Sequence, residues 1–150
     1  MKEILHRNKQ NRITDDGLDI GICYIEKNEK LVFAGAKVPL YIRQGSQVHV
    51  LKGGSRSIGY QRSSNTLTFN NHIWEIQPND QFYLTTDGYI DQNGGAKDLP
   101  FSRKRFISAI IDQPDLGLAM QKDAFESIFN QYRGNELQRD DITLLGFCFK

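Results

Sequence analysis

Several residue types are scarce in this 150-residue chain, and each scarcity closes off a class of function. There are two cysteines, Cys23 and Cys148, so a four-thiolate zinc site is excluded. Each sits in an apolar, strand-like run, which reads as a buried thiol in a reducing compartment. Neither sign of charge is in excess: 19 Lys and Arg stand against 18 Asp and Glu, for a formal net charge of +1. The basic surplus of a dedicated nucleic-acid binder is missing, and so is any bulk charge that would hold the chain to a membrane surface. No apolar run approaches the roughly 20 residues that span a bilayer. The first ten residues, MKEILHRNKQ, contain no apolar stretch of signal-peptide length. These absences together point to a cytoplasmic protein. The three histidines, His6, His49 and His72, share no metal-like spacing. No Ser/His/Asp or Cys/His nucleophile arrangement can be argued, and there is no repeat, linker or low-complexity tract.

What is present describes one globular domain. Hydrophobic residues make up 39% and charged residues 25%, and neither figure suggests disorder. A compact chain of this size buries about 70% of its unfolded surface. Residues 1–13 read as a polar tail or helix remnant, and the domain runs over 14–150. Asp15-Asp16-Gly17 is a turn or cap. Leu18 to Ile25 is Ile-rich and partly alternating, hence a strand. The polar Lys27–Lys30 connection turns it back into Leu31–Ala34. Gly35-Ala36-Lys37 breaks this strand. Extended chain resumes over Val38–Arg43, where Pro39 marks an edge or an irregularity. Val48 to Leu51 is a short strand, and Lys52 to Gly59 is a Gly- and Ser-rich loop. Residues 67–76 and 80–86 read as two further strands. Beyond residue 100 the period changes. Phe106, Ile107, Ile110 and Ile111 recur at helical spacing up to Pro114. Asp115 can cap a second helix, whose stripe is Phe125, Ile128, Phe129 and Tyr132, with Gly134 at its C-terminal end. Ile142–Phe149 is a closing strand. Strands, then two helices, then a strand specify an α+β class with antiparallel sheets.

Two acidic clusters stand at strand ends. Thr86-Asp87-Gly88-Tyr89-Ile90-Asp91 follows one apolar strand, and Asp140-Asp141-Ile142-Thr143 precedes another. If those strands are neighbours, Asp87, Asp91 and Asp140 converge, and a hard cation such as Mg²⁺ or Mn²⁺ would relieve their repulsion. Asp is also common at turns and caps for purely local reasons. Lys52-Gly53-Gly54-Ser55-Arg56-Ser57 could cradle a phosphate through its backbone, but it lacks the spacing of a Walker loop, and a plain connection is the simpler reading.

Five elements taken in order carry a resemblance. They are Asp16-Gly17-Leu18-Asp19-Ile20, Phe33-Ala34-Gly35-Ala36 with Pro39-Leu40, Ile58-Gly59, Thr86-Asp87-Gly88 with Asp91-Gln92, and Asp140-Asp141-Ile142-Thr143. Together they resemble the C-terminal portion of a PPM (protein phosphatase 2C-like) domain of the bacterial SpoIIE-like branch. That resemblance implies part of an α/β-β/α sandwich, in which two packed antiparallel sheets are flanked by helices. It also implies hydrolysis of phosphoserine or phosphothreonine with two Mg²⁺ or Mn²⁺ ions that activate a water. By the same resemblance, Asp87 and Asp140 match metal ligands. Asp91 and Asp141 are supporting carboxylates, and Gly88 is the turn of the Asp-Gly motif.

One departure shapes the rest. The family also uses an Asp-Gly motif and a second acidic residue from its N-terminal half, and nothing before residue 14 resembles them. The expectation is therefore a fragment, natural or cut, that binds at most one ion weakly and is inactive alone. Exposed sheet edges would favour self-association. The substrate implied is a phosphorylated regulatory protein such as an anti-sigma-factor antagonist. The other reading is a non-catalytic interaction module that keeps the phosphatase fold.

Overall fold

The computed structural model describes residues 17–59, 68–113 and 117–149. The expected tail over 1–13, the Asp15-Asp16 turn and the Asp115 cap lie outside them.

Chain order sets up two sheets. Strands β1 (Ile20–Glu26) and β2 (Lys30–Ala36) form a hairpin with Glu26 opposite Lys30. Its turn places Lys27 and Asn28 at φ 50° and 58°, and the Glu29 N–H donates to the Glu26 carbonyl at 3.0 Å. Two successive positive φ values give the turn hand that matches strand twist. β5 (His72–Glu75) joins the other side of β2, giving the order β1-β2-β5. The second sheet contains β3 (Leu40–Gln44), β4 (Gln47–Leu51), β6 (Gln81–Thr85) and β9 (Leu144–Cys148) in the order β4-β3-β6-β9, and its pairs are antiparallel. A one-turn helix α1 (Asp87–Ile90) follows β6, and the short pair β7 (Asn93–Gly94) and β8 (Leu99–Pro100) precedes helices α2 (Ser102–Ile111) and α3 (Leu118–Arg133).

Alternation along the strands builds two apolar layers. Leu31 and Phe33 of β2, Leu40 and Ile42 of β3, and Phe82 of β6 are fully buried between the sheets. The opposite face of the four-stranded sheet carries Tyr41 and Tyr83. These pack with Tyr89, Phe101, Phe106, Ile110, Phe125 and Phe129 beneath the helices. Period-2 alternation thus assigns neighbouring residues of β3 to different layers, and Leu40 to Arg43 are all buried. The layers run three-stranded sheet, four-stranded sheet, helices. That is three of the four layers of an α/β-β/α sandwich. Among the described residues nothing covers the outer face of the three-stranded sheet, where Ile22, Tyr24 and Ile73 are 56%, 63% and 64% exposed.

The α+β class, the hairpin, both long helices and the closing strand agree with the sequence reading. Differences have local causes. Pro39 marks an irregularity, with Lys37 at φ 60°, and β3 begins just after it as an inner strand. The strand expected at 67–76 is confined to β5; residue 67 lies outside the described set. Cys148 is exposed and Cys23 half-buried, and both are free thiols. The expected burial of Cys148 fails because, unlike Cys23, which packs against the inter-sheet core, Cys148 joins neither apolar cluster. Burial raises the pKa of the Cys23 thiol. Among the described residues, no helix is long and apolar enough to cross a membrane.

Candidate metal and phosphate site

Antiparallel pairing of β6 and β9 sets Thr85 opposite Leu144, so the end of β6 and the start of β9 coincide. The two segments are held by a compact hydrogen-bond set. The Thr86 N–H donates to the Thr143 carbonyl (3.1 Å), and the Thr143 N–H donates to Thr86 Oγ1 (3.0 Å). Thr86 Oγ1 in turn donates to the Asp141 carbonyl (3.0 Å), and Thr85 Oγ1 to the Thr143 carbonyl (3.0 Å). Gly88 permits this approach. A Cβ built there would lie 2.5 Å from the Asp141 carbonyl oxygen and 3.3 Å from the Asp140 carbonyl carbon. The two acidic clusters are thus packed backbone to backbone.

Their side chains diverge in role. Asp87 opens α1 and Asp91 caps it, four residues on, so both fall on one side of the turn. Both line a cavity of about 750 Å³ between the end of the sheet, the Lys52–Ser55 loop and α2. Asp140 and Asp141 do not line it. The Asp140 carboxylate accepts the Asp141 N–H at 2.7 Å, a tie local to its own turn. A third carboxylate does reach the cavity: Asp19, which accepts a hydrogen bond from Ser57 Oγ and pairs with Lys37 Nζ at 3.7 Å. In the sequence Asp19 belongs to the strand opening Asp16-Gly17-Leu18-Asp19-Ile20, and its signal is a charge interrupting an apolar run.

The cavity also carries three cations: Lys52, from the loop the sequence offers as a phosphate cradle, and Lys37 and Arg103, which no sequence motif singles out. The loop Lys52–Ser55 is pinned by its backbone. The Gly54 N–H donates to the Gly35 carbonyl (2.7 Å), and the Lys37 N–H donates to the Gly54 carbonyl (2.7 Å). Gly53 and Gly35 are needed because a Cβ at either would fall within 2.5 Å of the Val38 carbonyl oxygen. The glycines therefore serve close backbone packing rather than a phosphate cradle. Tyr41 lines the cavity as well. Its hydroxyl is buried without a hydrogen-bond partner, and burial raises its pKa against the opposing pull of Arg103.

Carboxylate oxygens at Asp87 and Asp91 are the donor type that Mg²⁺ or Mn²⁺ takes, often one or two at a time with waters completing the shell. The number falls short of a closed site. Among the described residues there is no group of three or more His, Cys, Asp or Glu placed to hold a metal.

Comparison with known proteins now places the chain. Residues 8–150 match the family model described as Stage II sporulation protein E (SpoIIE), and the chain belongs to that family. Its fold is that of the PP2C-type phosphatase domains. It superposes on the SiaA-PP2C domain of Pseudomonas aeruginosa with TM-score 0.80 and 37% identity, over 88% of this chain and 51% of that one. The PP2C phosphatase domain of SpoIIE from Bacillus subtilis, solved with a fragment of its regulatory domain, matches with TM-score 0.70 and 16% identity, over 90% of this chain and 39% of that one. A manganese-presoaked SpoIIE phosphatase domain gives TM-score 0.63 at 14% identity, over 87% of this chain and 55% of that one. The chain spans about half the length of these solved proteins. No curated protein matches it.

Proposed function

We propose that this chain is the C-terminal part of a metal-dependent protein serine/threonine phosphatase. Asp87 and Asp140 serve as metal ligands and Asp91 and Asp141 as supporting carboxylates. The observation that carries the reading is the locked junction of β6 and β9, which packs Asp87-Gly88 against Asp140-Asp141 at one end of the sheet. Mg²⁺ or Mn²⁺ bound in a complete site supplies the Lewis acid that activates a water toward phosphorus. This chain's own residues offer donors from one side, and the remaining carboxylates come from polypeptide outside it. The Thr86 bonds hold the backbones of the two acidic turns together, and the Asp140 carboxylate, which accepts the Asp141 N–H, must turn toward Asp87 to share an ion. The chain alone binds one ion weakly and is inactive or nearly so. The substrate is a phosphorylated regulatory protein, such as an anti-sigma-factor antagonist, in the cytoplasm.

The test is release of phosphate from a phosphoserine peptide with Mn²⁺, by this chain and by this chain joined to the other half of a SiaA-like domain. Activity only in the joined form, abolished by Asp87→Asn, supports the reading. A joined form that folds, binds Mn²⁺ and is inactive refutes it and favours the interaction module. The same reading includes a second copy of this chain as a partner when the chain stands alone. β1 and β9 are edge strands without protecting proline, and Ile22, Tyr24 and Ile73 lie open beside β1 and β5. A monodisperse monomer in light scattering at high concentration would contradict that.

A further inference from the structure

The cations of the cavity are more informative than its carboxylates. Its wall carries Asp19, Asp87 and Asp91 against Lys37, Lys52 and Arg103. Lys37 is taken by Asp19 at 3.7 Å. Among the described residues the only other ion pair is Lys30–Glu75, so Lys52 and Arg103 face the cavity with unpaired charges. They come from different elements, Lys52 from the loop after β4 and Arg103 from the first turn of α2. Neither is needed for packing, since both are exposed. A second, independent observation lies in the same cavity. Tyr41 is 1% exposed, and its hydroxyl has no partner. A buried hydroxyl left unpaired costs about 1–3 kcal/mol, so such a group is usually explained by a ligand or a water. Arg103 is close enough to Tyr41 for its charge to act on that hydroxyl.

We propose that Arg103, Lys52 and the Tyr41 hydroxyl form an anion subsite that holds the phosphoryl group of a phosphoserine or phosphothreonine peptide, facing the Asp87–Asp91 edge of the same cavity. A guanidinium fork matches phosphoryl oxygens two at a time, and an ammonium adds a point charge. Tyr41 donates an O–H to a further oxygen. Arg103, Lys52 and Tyr41 line the same cavity as Asp87 and Asp91, so a phosphoryl group held by them shares that cavity with the proposed metal ligand Asp87. The inference deepens the proposed function and rests on it for the identity of the ligand.

Metal-free binding tests it separately from turnover. A labelled phosphoserine peptide and its unphosphorylated form are titrated into this chain at physiological salt. The phosphorylated form is expected to bind at least about 10-fold tighter, and inorganic phosphate is expected to displace it. Arg103→Ala is expected to weaken binding about 10-fold or more, as fits the loss of charge-assisted hydrogen bonds. Lys52→Ala and Tyr41→Phe are expected to weaken it several-fold. Lys104→Ala, which removes an adjacent exposed charge that does not line the cavity, is the control and leaves binding unchanged. Equal binding of the two peptides, no displacement by phosphate, or equal losses in Arg103→Ala and Lys104→Ala overturns the subsite. An inactive joined domain that still shows this pattern would overturn the phosphatase reading alone. An active one whose binding ignores Arg103 would overturn the subsite alone.

Discussion

Replacing Gly88 by alanine tests the packing on which the site reading depends. The added Cβ would lie 2.5 Å from the Asp141 carbonyl oxygen, with the Asp141 and Asp140 carbonyl carbons at 3.2 and 3.3 Å. Ordinary contact begins near 3.4 Å, so the nearest atom must retreat by about 0.9 Å. That atom is backbone, and it already accepts the Thr86 Oγ1 hydrogen bond at 3.0 Å. No flexible side chain can absorb the shift. Overpacking of this kind costs about 1–3 kcal/mol. Alanine's advantage over glycine within helices, about 1 kcal/mol, works in the opposite direction but applies in full only to helix interiors. The net expectation is a loss of about 1–2 kcal/mol, which lowers Tm by roughly 2–8 °C for a chain of this length. Thermal unfolding followed by circular dichroism reads this directly. The control is Gly117→Ala, where φ is −56° and a Cβ meets nothing within 4 Å; it should cost less than about 1 kcal/mol. In the joined domain, Gly88→Ala should also reduce phosphatase activity, because the forced shift moves the Asp140–Asp141 turn. A Gly88→Ala Tm within about 1 °C of the parent under the same conditions would refute the close approach.

Other outcomes follow from burial and titration. Phe106→Ala removes a fully buried ring that packs on Tyr41 at 5.0 Å and Tyr89 at 5.4 Å, and should cost about 3–5 kcal/mol in denaturant unfolding. Tyr83 is buried with its hydroxyl donating to Gln121 Oε1 at 2.7 Å, and burial pushes its pKa up to about 12. Because the folded value lies above the ordinary value near 10, the stabilisation is complete below pH about 10 and is lost as pH rises toward 12. Stability measured across that interval should fall, and Tyr83→Phe should flatten the fall; equal slopes in both proteins would contradict the assignment. Of the two thiols, exposed Cys148 should react with a thiol reagent at neutral pH at least about 10-fold faster than Cys23, which is half-buried with a raised pKa. Equal rates would mean that β1 opens readily.

Chain-local chemistry is what the sequence made legible. β-branched alternation marks β1 and β2, the 3.6-residue stripes mark α2 and α3, and the change of period near residue 100 separates sheet from helix. The motif order was enough to name the family, and the family model and the SiaA-PP2C superposition agree with it. The exposure of Cys148 is not legible locally, because an apolar run does not report which of its side chains a packed layer will cover.

The sequence by itself determined the element types and the positions of the Asp-rich turns, because hydrophobic period and turn chemistry act within a few residues. Only the tertiary structure decided which of them meet. Pairing of β6 with β9 brings residues 88 and 141 into backbone contact across more than fifty positions of chain. Folding the loop after β4 and the start of α2 around the end of the sheet brings Lys52 and Arg103 into one cavity with Asp87 and Asp91. No local pattern carries those distances, since they follow from strand order and from which face of each element the core takes.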